Sequence, residues 1–268
     1  MSWWGKMLGG AFGFMLGGPL GAVLGAVLGH NLDRGMDGLK GVDPLHPGDR
    51  ERVQTAFFTA TFSVMGHLAK ADGRVSEDEI DLARMVMDQM DLNQKLRHTA
   101  MRLFEQGKSA DFPLDDVVDQ FRRECHRRQT LIQMFVEIQL QAAYADGVLH
   151  RDEERLLLHI CRRLGIPEIL FRRLEDMIKA GGHYAGRGGR AAPQAAGPSL
   201  EDAYSILMVS PNSSDDEIKR AYRRLLSQHH PDKLVSKGLP EEMMKIAAHK
   251  THEIRQAYER IKQARGLR

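Results

Sequence analysis

Apolar residues recur at helical spacing through most of this chain. Val53, Phe57, Phe58, Phe62, Met65 and Leu68 mark one stripe. Ile80, Leu82, Ala83, Val86, Met87 and Met90 mark the next, and Leu114, Val117, Val118 and Phe121 a third. Leu131 to Tyr144 is apolar on nearly every face, which predicts the central, most buried helix. Leu156, Leu157, Ile160, Cys161 and Leu164 follow, then Ile169, Leu170, Leu174, Met177 and Ile178. No alternating strand pattern of useful length interrupts the series, so the fold class is all-α. The tract 51–180, about 130 residues, is long enough to bury a core of its own.

The amino-terminal pattern is different. From Met7 to Gly29 there is no charged residue, a length that suffices to cross a bilayer as a helix. Gly5, Gly9, Gly13, Gly17, Gly21, Gly25 and Gly29 fall at every fourth position. On a helix they line one smooth groove, and faces of this kind drive helix association in lipid. In water each of those glycines would cost about 1 kcal/mol relative to alanine. The pattern predicts a single transmembrane helix within residues 1–30 that pairs with a second copy of itself. A cleaved signal peptide would have a shorter apolar core, and a loose Gly-rich tail would not need the Leu, Phe and Val. A hairpin turning at Gly17-Gly18-Pro19 would leave each arm too short to span. Trp3 and Trp4 suit the interface. Lys6 precedes the segment, whereas Arg34, Lys40, Arg50 and Arg52 follow it, which favours amino terminus out and body in.

Within 51–180 there is an internal repeat. Ala71-Asp72-Gly73-Arg74-Val75-Ser76-Glu77-Asp78-Glu79 matches Ala145-Asp146-Gly147-Val148-Leu149-His150-Arg151-Asp152-Glu153. Each Asp-Gly pair makes a turn with glycine at positive φ, and Ser76 with Glu79 forms a capping box for the next helix. The pattern resembles the TerB-like domain, a helical bundle of pseudo-twofold halves. That resemblance implies metal binding near the turns, with Asp72, Glu79, Asp146 and Glu153 as the matching acids. Turn formation and capping explain the same four residues. The acidic ladder of a calcium EF-hand is absent.

The carboxy-terminal region carries the most specific chemistry. Lys219 to Lys233 is a basic amphipathic helix running into His230-Pro231-Asp232. Tyr222, Leu225, Leu226 and His229 form its inward stripe, while Lys219, Arg220, Arg223 and Arg224 occupy the rest of the surface. Pro231 fixes its own φ and pushes His230 out of helical geometry, so the helix ends and His230 and Asp232 stand on an exposed turn. Ser214-Asp215-Asp216-Glu217 is a capping box for this helix, and Ser199 starts a shorter one. Pro240-Glu241-Glu242 reads as the first turn of a third, burying Met243 or Met244, Ile246, Ala247, Ile254, Ala257, Tyr258 and Ile261. With Asp202-Ala203-Tyr204-Ser205-Ile206-Leu207 upstream and Ile254-Arg255-Gln256-Ala257-Tyr258-Glu259 downstream, this resembles the J domain of DnaJ-type co-chaperones. The resemblance implies a DnaK-type chaperone as partner. It gives His230, Pro231 and Asp232 the role of triggering that partner's ATP hydrolysis, and Lys219, Arg220, Arg223 and Arg224 that of electrostatic contact. Two departures stand out: Met208 replaces the glycine that usually follows the leucine, and the stretch from Asp232 to Ala257 is long.

Gly, Ala and Pro dominate 181–198, a composition that predicts a flexible tether spanning roughly 25 Å on average. The layout is therefore 1–30 anchor, 31–50 connector, 51–180 bundle, 181–198 linker and 199–268 J domain. The net charge of +2 over 268 residues gives no global pull toward nucleic acid. Cys125 and Cys161 fall in apolar helical stretches and read as reduced core thiols. There is no nucleophile–base pair, phosphate loop or nucleotide-binding glycine turn, so the chain reads as an activator of a partner ATPase with no cofactor of its own. His249 and His252 lie about one turn apart, where solvated helix positions outweigh a shared metal. The order of parts is similar to bacterial membrane-anchored DnaJ-like co-chaperones, which implies an inner-membrane location, contact with membrane lipid, homodimerisation and a cytoplasmic body. It further implies a link to envelope-stress and capsule signalling. An ion-responsive membrane sensor, with the bundle as detector and the J domain as output, is the competing reading.

Overall fold

The structure is a computed structural model that describes residues 17–29, 49–71, 77–90, 92–144, 147–186, 198–236 and 244–266. Among the described residues there are helices and no strand. A first group comprises α1 (Gly18–Gly29), α2 (Asp49–Ala69), α3 (Glu77–Gln89), α4 (Gln94–Gly107), α5 (Leu114–Glu124), α6 (Gln129–Ala143), α7 (Arg151–Leu164) and α8 (Glu168–Gly186). A second comprises α9 (Leu200–Ile206), α10 (Asp215–Gln228), α11 (Pro231–Ser236) and α12 (Met244–Arg265).

The axis of the first group is α2. Every position from Val53 to Gly66 is buried, polar residues included. The sequence pattern pointed to Leu131–Tyr144 instead, now α6, which is deeply buried but not the axis. Serines and threonines disguise α2 as half-solvated. Two of the hydroxyls are satisfied inside it: Thr55 Oγ1 donates to Glu51 O (2.9 Å) and Ser63 Oγ donates to Thr59 O (2.8 Å), whereas Thr59 Oγ1 and Thr61 Oγ1 are buried with no hydrogen-bond partner among the described residues. Gln139 Nε2 of α6 reaches in to donate to Thr61 O (3.0 Å). Back-bonding of this kind lets a polar residue sit in a core.

Against α2 lies α4, in a stretch where the pattern above named no element. Asn93 caps it by accepting from Leu96 N (3.1 Å). Leu96, Ala100, Leu103 and Phe104 are buried at helical spacing, a signal that was present to be read. The two helices meet backbone to backbone at Gly66 and Gly107. A Cβ on Gly66 would stand 1.9 Å from Phe104 O, and one on Gly107 would stand 1.8 Å from Ser63 O. His67 Nδ1 donates to Gly107 O (3.0 Å) beside this crossing. Phe57, Phe121 and Phe135 pack in sequence, with ring centroids 5.9 and 4.7 Å apart. On the outside Arg163 of α7 pairs with Asp115 (2.8 Å) and Asp119 of α5, and His159 approaches Asp115 (2.6 Å).

Three expectations are corrected. Helix α1 begins at Gly18, because Gly17 and Gly18 both take left-handed backbone (φ +56° and +60°), which ends a right-handed hydrogen-bond ladder. An unbroken helix from Met7 to Gly29 is therefore not what the described part contains, and residues 1–16 lie outside it. Among the described residues no helix is long and apolar enough to cross a membrane. Leu20, Val23, Leu24 and Val27 are buried within the bundle's core. Gln120 clamps the turn, accepting from Leu20 N (2.8 Å) and donating to Gly17 O (2.9 Å). Second, Ile169 is 66% exposed while Phe171 is fully buried, since 171, 174 and 178 share a face that 169 does not. Third, α8 continues to Gly186, into the tract read as a tether.

Gly66→Ala or Gly107→Ala is expected to destabilise the bundle by roughly 3 kcal/mol, because neither backbone can retreat from the added methyl. A denaturant midpoint lowered at unchanged slope would register this; an unchanged midpoint would mean that the helices do not touch there.

Candidate functional site

The basic helix starts where its sequence says it should. Ser214 N donates to Glu217 Oε2 (2.7 Å), and Glu217 N donates to Ser214 Oγ (3.3 Å), completing the capping box. Those hydrogen bonds hold the Glu217 carboxyl below its usual range. Asp215, Asp216 and Glu217 occupy the first turn, where the helix dipole favours negative charge. Ile218, Ala221 and Leu225 are buried, and the ring of Tyr222 stacks on Tyr258 of α12 at 4.1 Å. Arg220, Arg223 and Arg224 are exposed and Lys219 is half-buried. Two of the arginines lean back on their own helix: Arg220 Nε donates to Asp216 O (3.2 Å), and Arg223 Nε donates to Lys219 O (3.3 Å).

At the tip, His229 caps α10 with its N–H on Leu225 O (3.0 Å). Rather than a bare turn, His230-Pro231-Asp232 opens the short helix α11, with Pro231 as its first residue. The missing N–H of proline and its fixed φ suit that position. His230 O accepts from Leu234 N (3.1 Å). The His230 side chain is 42% exposed and Asp232 82% exposed, with Nδ1 and Oδ2 4.0 Å apart. His230 Nδ1 is enclosed by protein atoms and makes no hydrogen bond to any of them. His230, Pro231 and Asp232 thus lie at the end of the rod whose side carries the arginines.

Two features brace this rod. Arg265, near the end of α12, donates to Tyr204 Oη (2.7 Å), Ser213 O (2.7 Å) and Asp215 Oδ1 (3.0 Å), and to Pro211 O as well. One guanidinium joins α9, the loop and the start of α10, a role no local pattern announces. At the end of α9, capped at its start by Ser199 Oγ accepting from Asp202 N (3.1 Å), Met208 N donates to Ser205 O (2.9 Å) and Val209 N to Tyr204 O (3.0 Å). This is a Schellman closure, which asks for left-handed backbone at its first outer residue. Met208 supplies it at φ +54°, at a cost of about 1–2 kcal/mol that glycine would avoid.

Of the four acids matched to metal binding, Glu153 is buried and accepts from His150 N (3.0 Å) as a helix cap. Gly147 makes the expected turn at φ +90°. Asp72 and Asp146 lie outside the described residues, as does the side chain of Glu79. Among the described residues no group of three or more His, Cys, Asp and Glu is placed to hold a metal. His249 and His252 are exposed. Cys125 and Cys161 are free and buried, and burial pushes both thiols up to about 12. In the glycine series Gly21 is buried and Gly25 half-buried, Gly17 is at the turn, Gly29 ends α1, and Gly5, Gly9 and Gly13 lie outside the described residues.

A contact that sequence reading missed joins the two groups. His229 Nε2 of α10 stands 3.7 Å from Glu137 Oε1 of α6, and both side chains are buried. The available signal was an acid in the middle of the most apolar helix. Lys250 is buried close by and pairs with Glu253 (3.2 Å), and Thr251 Oγ1 donates to His229 O (3.0 Å). Burial lowers the His229 pKa and Lys250 adds to this, while Glu137 and Glu253 oppose it.

Comparison with known proteins covers the whole chain. Residues 58–176 match the family described as tellurite resistance protein TerB, residues 1–40 the co-chaperone DjlA transmembrane domain, and residues 202–265 the DnaJ domain. The co-chaperone protein DjlA of Yersinia pseudotuberculosis is 45% identical over 100% of both chains. That of Escherichia coli K12 is 44% identical and that of Photorhabdus laumondii 43%, again over 100% of both. No solved structure matches.

Because burial lowers the His229 pKa in the fold, its contribution to stability is complete above the unfolded value near 6.5 and is lost as pH falls below it. Lowering the pH from 7.5 to 5.5 should therefore reduce stability through this group. His229→Gln should unfold with a correspondingly shallower pH slope in the same window. Equal slopes in variant and wild type would remove His229 from the account.

Proposed function

Since this chain belongs to the DjlA family of co-chaperones, regulators rather than enzymes, we propose that its J domain docks on a DnaK-type chaperone and accelerates that partner's ATP hydrolysis. His230, Pro231 and Asp232 act as the trigger, and Lys219, Arg220, Arg223 and Arg224 as the steering surface. The observation that carries this reading is a line of exposed arginines on α10 leading directly into a half-exposed His230 and an exposed Asp232, locked in place by Pro231. Exposed guanidinium groups that pair with no carboxylate among the described residues favour an acidic surface. The exposed site has the makings of an interface and lacks those of a reaction centre.

The amino-terminal segment anchors the protein in the inner membrane, amino terminus periplasmic and body cytoplasmic. Supporting this are the match of residues 1–40 to a transmembrane domain, the positive charges behind the apolar run, and the need for the J domain to meet an ATP-driven partner. Gly5, Gly9 and Gly13, ahead of the break at Gly17-Gly18, pair two copies in lipid, so that two J domains are held together, while Gly21 and Gly25 sit on a helix packed into the bundle. Envelope-stress and capsule signalling would then set the demand for this recruited DnaK. The sensor alternative gains nothing from Glu153, whose carboxylate is engaged as a cap.

In single-turnover assays of DnaK with the full-length chain in lipid discs, wild type should accelerate hydrolysis and His230→Gln should lose about ten-fold or more of that effect. No acceleration by wild type would refute the assignment. Charge reversal at Arg223 and Arg224 to Glu should slow association about ten-fold at low ionic strength, with the deficit shrinking as salt screens it. A deficit independent of salt would mean that the arginines contribute packing rather than steering.

A further inference from the structure

Several residues of the J domain belong to the bundle's core rather than their own. Leu234, two positions past Asp232, is fully buried in the cluster built around α2 and α6, as is Ala247 of α12, with Ile246 packed at its edge. The J domain keeps a separate core of Ala203, Ile206, Leu207, Ile218, Leu225 and Ile254, to which α8 contributes Ala180. Met208 touches both clusters. It does so from left-handed backbone, so the chain tolerates strain where the gain is a side chain in the seam. The polar part of the seam is the pair Glu137 and His229, one from each domain, closed off from solvent. A carboxylate inside an apolar helix needs a polar group facing it, and the J domain brings one.

These observations converge on the trigger. His229 is sealed in the seam and Leu234 is plugged into the bundle, and the residues between them are His230, Pro231, Asp232 and Lys233. We infer that the bundle face around Glu137 is a resting dock for this chain's own J domain, and that DnaK must compete with it for the trigger end. The inference rests on the J-domain reading above and adds its regulation. In the docked state Asp232 and the arginines stay open for a first encounter, while His230 is only half available. Opening the seam completes the surface. Whatever strengthens or weakens the bundle's grip sets the gain of the co-chaperone, which gives the bundle a task without a ligand of its own.

The test uses the full-length chain in lipid discs with two separate readouts. Glu137→Ala weakens the dock from the bundle side. Met208→Gly weakens it from the other side, and glycine suits that backbone better than methionine, so the J domain keeps its fold. Amide exchange at Leu234–Ser236 and Ala247–Lys250 should rise about ten-fold in each variant. Stimulation of DnaK at limiting co-chaperone should rise about three-fold. Exchange as fast in wild type as in both variants would overturn the dock. Faster exchange without greater stimulation would overturn its regulatory role, leaving a packing contact. If neither wild type nor variants stimulate DnaK at all, the co-chaperone reading fails while exchange still judges the seam.

Discussion

The architecture depends on two helices touching where neither has a side chain. Gly66 and Gly107 let α2 and α4 cross with carbonyl oxygens in the space that methyl groups would fill. Everything else in the bundle wraps that crossing. Once α2 is held so close on one side, its remaining faces must be covered by α5 and α6, and Thr55 and Ser63 turn their hydroxyls back on the helix. A core of this density tolerates little displacement, which makes it a rigid base for whatever packs against it.

The J domain is built on a different principle. Its helices are short, and their ends are specified by local hydrogen bonds: Ser199 and Ser214 as caps, a Schellman closure at Met208, proline at the first residue of α11. Arg265 then ties three separate segments with one side chain. Local specification suits a part whose task is to hold a few side chains in a fixed relation for another protein to read. The arginines need only remain solvated and unpaired, and α10 achieves this by directing its apolar stripe at α12.

Where the two principles meet, the molecule spends strain and buried polarity. Met208 is held in left-handed backbone, and Glu137 and His229 are withdrawn from water together. The left-handed backbone of Met208 closes α9 while its side chain reaches both cores, and the Glu137–His229 pair takes one residue from each domain. Both make sense as terms in a domain–domain contact whose strength can be modest, because a buried polar pair gives little net stability and much orientation. A weak, well-oriented contact is the kind that a competing partner can displace.

Much of this was legible in the chain itself. Helical periodicity, caps and turn residues are short-range, and the J-domain rod, the Asp-Gly turn at Gly147, the buried thiols and the exposed arginines follow from them. What the chain could not show by itself is which stripe faces which. The burial of α2 on all sides, the contact at Gly66 and Gly107, the exposure of Ile169 and the break at Gly17-Gly18 depend on neighbours far away in sequence. So do the clamp of Arg265 and the meeting of Glu137 with His229. Periodicity records that a face is apolar, but the partner that covers it is chosen by shape and by the entropy of bringing distant segments together, and only the folded chain contains that information.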